Sequence, residues 1–152
     1  MKYILTEAGQ YLIDECQKRH SELTLTRVML GDGKRRITDE PFPWITLAAP
    51  VISCPVVERG VKNDRPYARI KFKHTEITRE FFRQEFGVYA RATEPNSPWD
   101  MGETLLVYGT WEEEPLRIVA IDNGINHGLG WEYAFSVPLT YSPGMKILRE
   151  LT

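Results

Sequence analysis

Leu12, Ile13 and Cys16 recur along one narrow stripe of an otherwise polar stretch, the spacing of a helix that lays a single face on its neighbour. Thr6 stands where an N-cap belongs and Glu7 follows in the first turn, so a helix is expected over about residues 6–20. So narrow a stripe suits packing on a sheet rather than inside a bundle. Leu23-Thr24-Leu25-Thr26-Arg27-Val28-Met29-Leu30 then alternates apolar and polar positions, the period of a half-buried strand, and Gly31-Asp32-Gly33 closes it in a tight turn.

From Lys34 to Pro50 the pattern breaks down. Lys34-Arg35-Arg36, Thr38-Asp39-Glu40 and the prolines Pro41, Pro43 and Pro50 oppose regular pairing, so a long loop is expected, pinned to the body by Phe42 and Trp44. Val51 to Glu58 reads as a strand interrupted by Pro55, which argues for an edge or a bulge. Tyr67-Ala68-Arg69-Ile70-Lys71-Phe72-Lys73 carries the clearest alternation in the chain, with Asn63-Asp64 as the turn before it. Glu76 to Arg83 reads as a short helical or irregular turn. Phe86 to Ala92 and Leu105 to Trp111 read as the two arms of a hairpin whose long tip, Glu94 to Gly102, is rich in turn formers. Arg117 to Asp122 and Trp131 to Val137 supply two more strands, with Asn123-Gly124 and Gly128-Leu129-Gly130 as turns. One helical stripe against several alternating segments predicts a single α+β domain over residues 1–152, an N-terminal helix packed on a mostly antiparallel β-sheet.

Charge narrows the choice of partners. The 19 Lys and Arg residues nearly balance 21 Asp and Glu, so no basic excess draws the chain to nucleic acid or to an anionic membrane, and proteins are the expected partners. Met1-Lys2-Tyr3-Ile4-Leu5 runs into Thr6-Glu7 far short of a signal peptide's apolar region, which implies synthesis and folding in the cytoplasm. Cys16 and Cys54 form no CxxC pair and read as two ordinary thiols.

The chemistry-bearing residues do not assemble into a motif. His20, His74 and His127 lack ligand spacing, no Gly-x-Ser-x-Gly elbow surrounds a nucleophile, and neither a metal nor an organic cofactor is expected. Gly31-Asp32-Gly33-Lys34 is too short for a phosphate loop and opens no helix, so it reads as a strand-end turn. Glu112-Glu113-Glu114 places adjacent carboxylates on different sides and reads as a solvated hairpin end. Among the aromatics, Trp111, Trp131, Tyr133 and Phe135 fall on strands and read as core, whereas Trp99, between Pro98 and Asp100, fits an exposed anchor or a lid over the core equally well. Short connections are the norm in compact domains, so the long loops that carry Phe42, Trp44 and Trp99 are the candidate partner-binding surface.

Four segments, read in order, resemble the N-terminal domain of phage tail-collar fibre proteins. Ile4-Leu5-Thr6-Glu7-Ala8-Gly9 looks like that family's Leu-Thr-x-x-Gly helix start, and Leu23-Thr24-Leu25 through Val28-Met29-Leu30-Gly31-Asp32-Gly33 like its strand ending in Gly-Asp-Gly. Arg83-Gln84-Glu85-Phe86-Gly87-Val88-Tyr89 is similar to its Arg-Glu-Val-Gly-Leu-Phe segment, and Leu105-Leu106-Val107-Tyr108-Gly109 to the apolar strand that follows. The resemblance implies a structural protein of a virion or phage-like tail, joining a fibre to the baseplate, with baseplate and tail-fibre proteins as partners, weak homotrimer formation and no catalytic residues. Two features depart from the pattern: the loops at 34–50 and 93–103 are long, and no fibre shaft follows Thr152. The chain is then a truncated fibre or a standalone adaptor of a phage, a tailocin or a related contractile injection system. A small carbohydrate-binding or hydrolytic module, using the aromatic and acidic loops, is the alternative from another class, and a fibre-assembly chaperone is a third.

Overall fold

In the computed structural model β1 (Lys2–Leu5) feeds directly into α1 (Glu7–Arg19), and the other regular elements of the described residues are all strands. They are β2 (Glu22–Gly31), β3 (Pro50–Cys54), β4 (Val56–Lys62), β5 (Arg65–Lys73), β6 (Phe81–Arg83), β7 (Glu85–Thr93), β8 (Thr104–Thr110), β9 (Leu116–Ile118) and β10 (Glu132–Pro138). The structure describes residues 1–62, 65–73, 77, 79–94, 99–100, 102–112, 116–118 and 132–138. The expected turns at Asn63-Asp64, Asn123-Gly124 and Gly128-Leu129-Gly130 lie outside them.

The helix begins and ends for identifiable reasons. Thr6 sits in extended backbone and its hydroxyl accepts the Gly9 amide at 2.8 Å, satisfying one of the N–H groups a helix start leaves open. The same hydroxyl donates to the Leu105 carbonyl, tying the cap to β8. At the other end His20 adopts a left-handed φ of 52°, and the Ser21 amide reaches back to the Cys16 carbonyl at 3.0 Å. Leu12, Ile13 and Cys16 are buried, and α1 packs on β8 and β2, as the narrow stripe requires.

Every pairing between the described strands is antiparallel. The main sheet runs β1-β8-β7-β2-β3, a second runs β10-β5-β4, and β6 and β9 form a short ribbon. Together with the N-terminal helix this is the α+β architecture expected. Pro55 alone separates β3, an edge of the main sheet, from β4, an edge of the second, so the proline that cannot donate a ladder hydrogen bond marks the change of sheet.

The two faces of the main sheet bury different things. Val28, Val88, Leu106 and Val107 join Leu12 and Ile13 of the helix and Ala68, Ile70 and Phe72 of β5 in one core. Leu105 and Tyr108 belong to a second, smaller cluster with Phe42, Leu47 and Tyr89, built beneath the 34–50 loop. Because both faces are covered, β7 is buried almost throughout and shows none of the alternation of a strand with one wet side.

One sequence expectation changes, and one feature of β8 has no counterpart in the sequence reading. Residues 81–83, read as part of a helical or irregular turn, form β6, because Phe81 pairs with Ile118 and both are buried. The partner comes from β9, so no local pattern announces it. In β8 the register shifts: Val107 faces Val88 but Leu105 faces Tyr89, leaving Leu106 as the extra residue of a bulge. The bulge presents the Leu106 backbone to the helix, where its carbonyl accepts the Thr6 amide at 2.9 Å.

Gly9 is the residue that lets helix and bulge meet. A Cβ there would lie 2.7 Å from the Leu106 carbonyl oxygen and 2.9 Å from the Leu106 Cα, and backbone atoms cannot step aside cheaply. Helix propensity alone would make Gly9→Ala stabilising by about 1 kcal/mol. The clash is expected to reverse the sign, with a net loss of about 1–3 kcal/mol in chemical denaturation. A stabilised Gly9→Ala protein would show that α1 does not rest on the bulge.

Candidate functional site

The 34–50 loop is long and carries no strand of its own beyond an isolated bridge between Thr6 and Phe42, yet its shape is fixed from below. Glu85, the first residue of β7, is fully buried. Its carboxylate accepts the Ala49 amide at 2.8 Å, the Ala48 amide at 3.1 Å and the Tyr108 hydroxyl at 2.9 Å. A buried carboxylate is tolerable only with such donors, and here they come from the loop and from β8. The Tyr108 oxygen in turn accepts the Arg35 amide at 2.8 Å, so one chain of hydrogen bonds holds both ends of the loop. Burial first, and then the Glu85 carboxylate, hold the Tyr108 phenol above its ordinary range, which keeps it a proton donor to Glu85.

Arg35 secures the loop from within. Its guanidinium donates to the Thr46 carbonyl at 2.9 Å and to the Leu47 carbonyl at 3.1 Å, and lies 4.1 Å from the centre of the Trp44 ring. Gly31 and Gly87 give the space beneath: a Cβ on Gly31 would meet Glu85 Oε1 at 2.8 Å, and one on Gly87 would meet Leu47 Cδ1 at 2.4 Å.

The three sequence-named aromatics therefore occupy three different settings. Phe42 is only 3% exposed and stacks on Tyr108, ring centres 4.7 Å apart at 17°. It pins the loop, as one half of the sequence reading held, and its ring does not face outward for a partner. Trp44 is 50% exposed and Ile45 66%, so the loop displays a neighbouring pair of large apolar side chains on a fixed backbone. Trp99 is half-buried, packs against the main core and lies beneath Arg19, whose guanidinium carbon is 4.4 Å from its ring centre. The hairpin tip near it is braced by Arg91, which grips Asp100 at 3.0 and 2.6 Å, while residues 95–98 lie outside the described set.

Sequence reasoning missed Glu85 and Ile45. Glu85 lay within the third of the resembling segments, but as a charge at the head of an apolar strand its ordinary meaning is a solvated strand end. Ile45 was screened by the prolines around it. The remaining candidates are dispersed: His20 caps the helix, His74 and His127 lie outside the described residues, and among those described no three His, Cys, Asp or Glu side chains gather where they could hold a metal ion. Cys16 and Cys54 are both buried free thiols. Burial raises the Cys16 thiol above its ordinary range, away from the reactive thiolate. No helix among the described residues is long and apolar enough to cross a membrane. No family model, no curated protein and no solved structure matches the chain.

Proposed function

We propose that the chain is a non-catalytic structural protein of a phage or phage-like tail, a tailocin or contractile injection system included, that connects a fibre to the baseplate through the 34–50 loop. The observation that supports this reading is that the four segments on which the resemblance rests lie together in the fold. The four segments, spread from Ile4 to Gly109, fold as β1 with the start of α1, β2, β7 and β8, which are neighbours in one sheet. They meet at Thr6 on Leu105 and Leu106, and at Gly31 beside Glu85. Motif residues that recur for a structural reason should touch one another in this way.

The docking residues are Trp44 and Ile45, an apolar pair on a loop whose ordering is already complete before a partner arrives, which lowers the cost of association. Baseplate and fibre proteins are the partners, with weak three-fold self-association where three fibre chains converge.

Co-purification with the tail proteins encoded by neighbouring genes tests this. Trp44→Ala should leave thermal stability almost unchanged, within about 0.5 kcal/mol, yet release the captured tail protein. Retention of the partner by the Trp44→Ala, Ile45→Ala double variant would remove the loop from the interface. Failure of the unaltered chain to retain any baseplate or fibre protein would remove the tail assignment itself.

A further inference from the structure

Beside the first half of the loop, Lys2 at the start of β1, residues 34–39, and Thr110 and Glu112 at the end of β8 enclose an open groove of about 760 Å³. Its charge runs against that of the molecule. Among the described residues that line it, Lys2, Lys34, Arg35 and Arg36 stand against Asp39 and Glu112, whereas the whole chain has a formal charge of −2. Arg35 is committed to the loop carbonyls and to Trp44. Lys2, Lys34 and Arg36 are not: among the described residues no ion pair engages them.

Unpaired surface cations are common, but these three rise from backbone that is already fixed. Lys2 pairs with Thr110 in the main sheet. Lys34 and Arg36 flank the amide that donates to the buried Tyr108 hydroxyl at 2.8 Å. The groove also shows what a carboxylate gains there. The Thr110 hydroxyl, and then the nearby charges of Lys2 and Lys34, hold the Glu112 carboxyl below its ordinary range.

We propose that this groove binds an acidic peptide segment of a partner protein, with its carboxylates set against Lys2, Lys34 and Arg36. A peptide suits the wall better than a nucleic acid does. Asp39 and Glu112 repel a backbone charged at every unit, whereas a peptide can set amide N–H groups or a lysine against them and its carboxylates against the cations. Half-buried Ile37 offers the same peptide an apolar contact in the groove. The binding chemistry is independent of whether the chain serves in a tail particle.

Fluorescence anisotropy with a labelled peptide alternating Glu, Ser and Leu measures it directly. The peptide should bind the intact chain, more weakly as salt rises from about 50 mM to about 500 mM, because exposed pairs are screened. Its Glu→Gln counterpart should not bind. Lys34→Glu with Arg36→Glu should weaken binding roughly tenfold or more at unchanged melting temperature, while the same charge change at Lys18→Glu and Lys71→Glu leaves affinity nearly unaltered. The proposal is overturned by absent binding, by equal binding of the Gln peptide, by equal loss in the two charge-reversed proteins, or by a single-stranded oligonucleotide of matched charge binding more tightly than the peptide.

Discussion

Replacing Glu85 with alanine is expected to destabilise the protein by about 3–5 kcal/mol, the largest effect of any charged-residue substitution among the described residues. Three donors lose their acceptor at once: the Ala48 and Ala49 amides and the Tyr108 hydroxyl. Each donor left without a partner in the interior costs about 1–3 kcal/mol, and the two amides, being only partly buried, recover some of that from water. The truncated side chain also leaves a void under the loop. Glu85→Gln keeps the volume and one acceptor oxygen, so its loss should be smaller, about 1–2 kcal/mol. Urea titration separates these outcomes, with a shifted midpoint at constant slope reporting stability alone. An alanine variant within about 0.5 kcal/mol of the parent would mean that the loop does not depend on this carboxylate.

Phe42→Ala is expected to cost about 3–5 kcal/mol, while Trp44→Ala, two residues along the same loop, changes stability by about 0.5 kcal/mol or less. The difference follows from burial: Phe42 is 3% exposed and stacked on Tyr108, whereas Trp44 is 50% exposed. Removing the first opens a cavity in the small cluster with Leu47, Tyr89 and Leu105. Removing the second exposes little that was hidden and releases one stacking contact with Arg35. Comparable losses at the two positions would contradict the arrangement, and a costly Trp44→Ala would leave Ile45 as the better docking candidate.

The elements read correctly from the sequence are those whose environment repeats along the chain. Helix α1 showed its stripe because Leu12, Ile13 and Cys16 all face one neighbour, and β5 alternates over most of its length. Strands β7 and β8 were found by apolar content and by the turn formers between them. What the pattern could not carry was any property set by a residue distant in the chain. β6 exists because of β9, and the bulge at Leu106 shows only in the register against Tyr89. The candidate site has the same division. A proline-broken loop carrying aromatics was visible, but Phe42 and Trp44 are equivalent as letters, and the Tyr108 ring decides which of them turns inward. Glu85 stood inside a recognised motif, yet its role depends on amides contributed by the loop.

The pairing of β1 with β8 also sets an order in time. Lys2 lies opposite Thr110 and Leu5 opposite Val107, so the first strand of this sheet has no neighbour in it until the last, β8, has been synthesised. At a ribosomal rate of about 5–20 residues per second, the N-terminal segment waits roughly 5–20 s for its seat. During that interval α1, a helix of 13 residues, has little stability of its own in water, and β8, one of the two strands it packs on, is absent. Closure of so long a loop is slow in search as well as in synthesis. The Leu-Thr-Glu-Ala-Gly segment, made before the rest of its sheet, is therefore among the last parts of that sheet to become native, and it stays accessible to chaperones and proteases until β8 emerges.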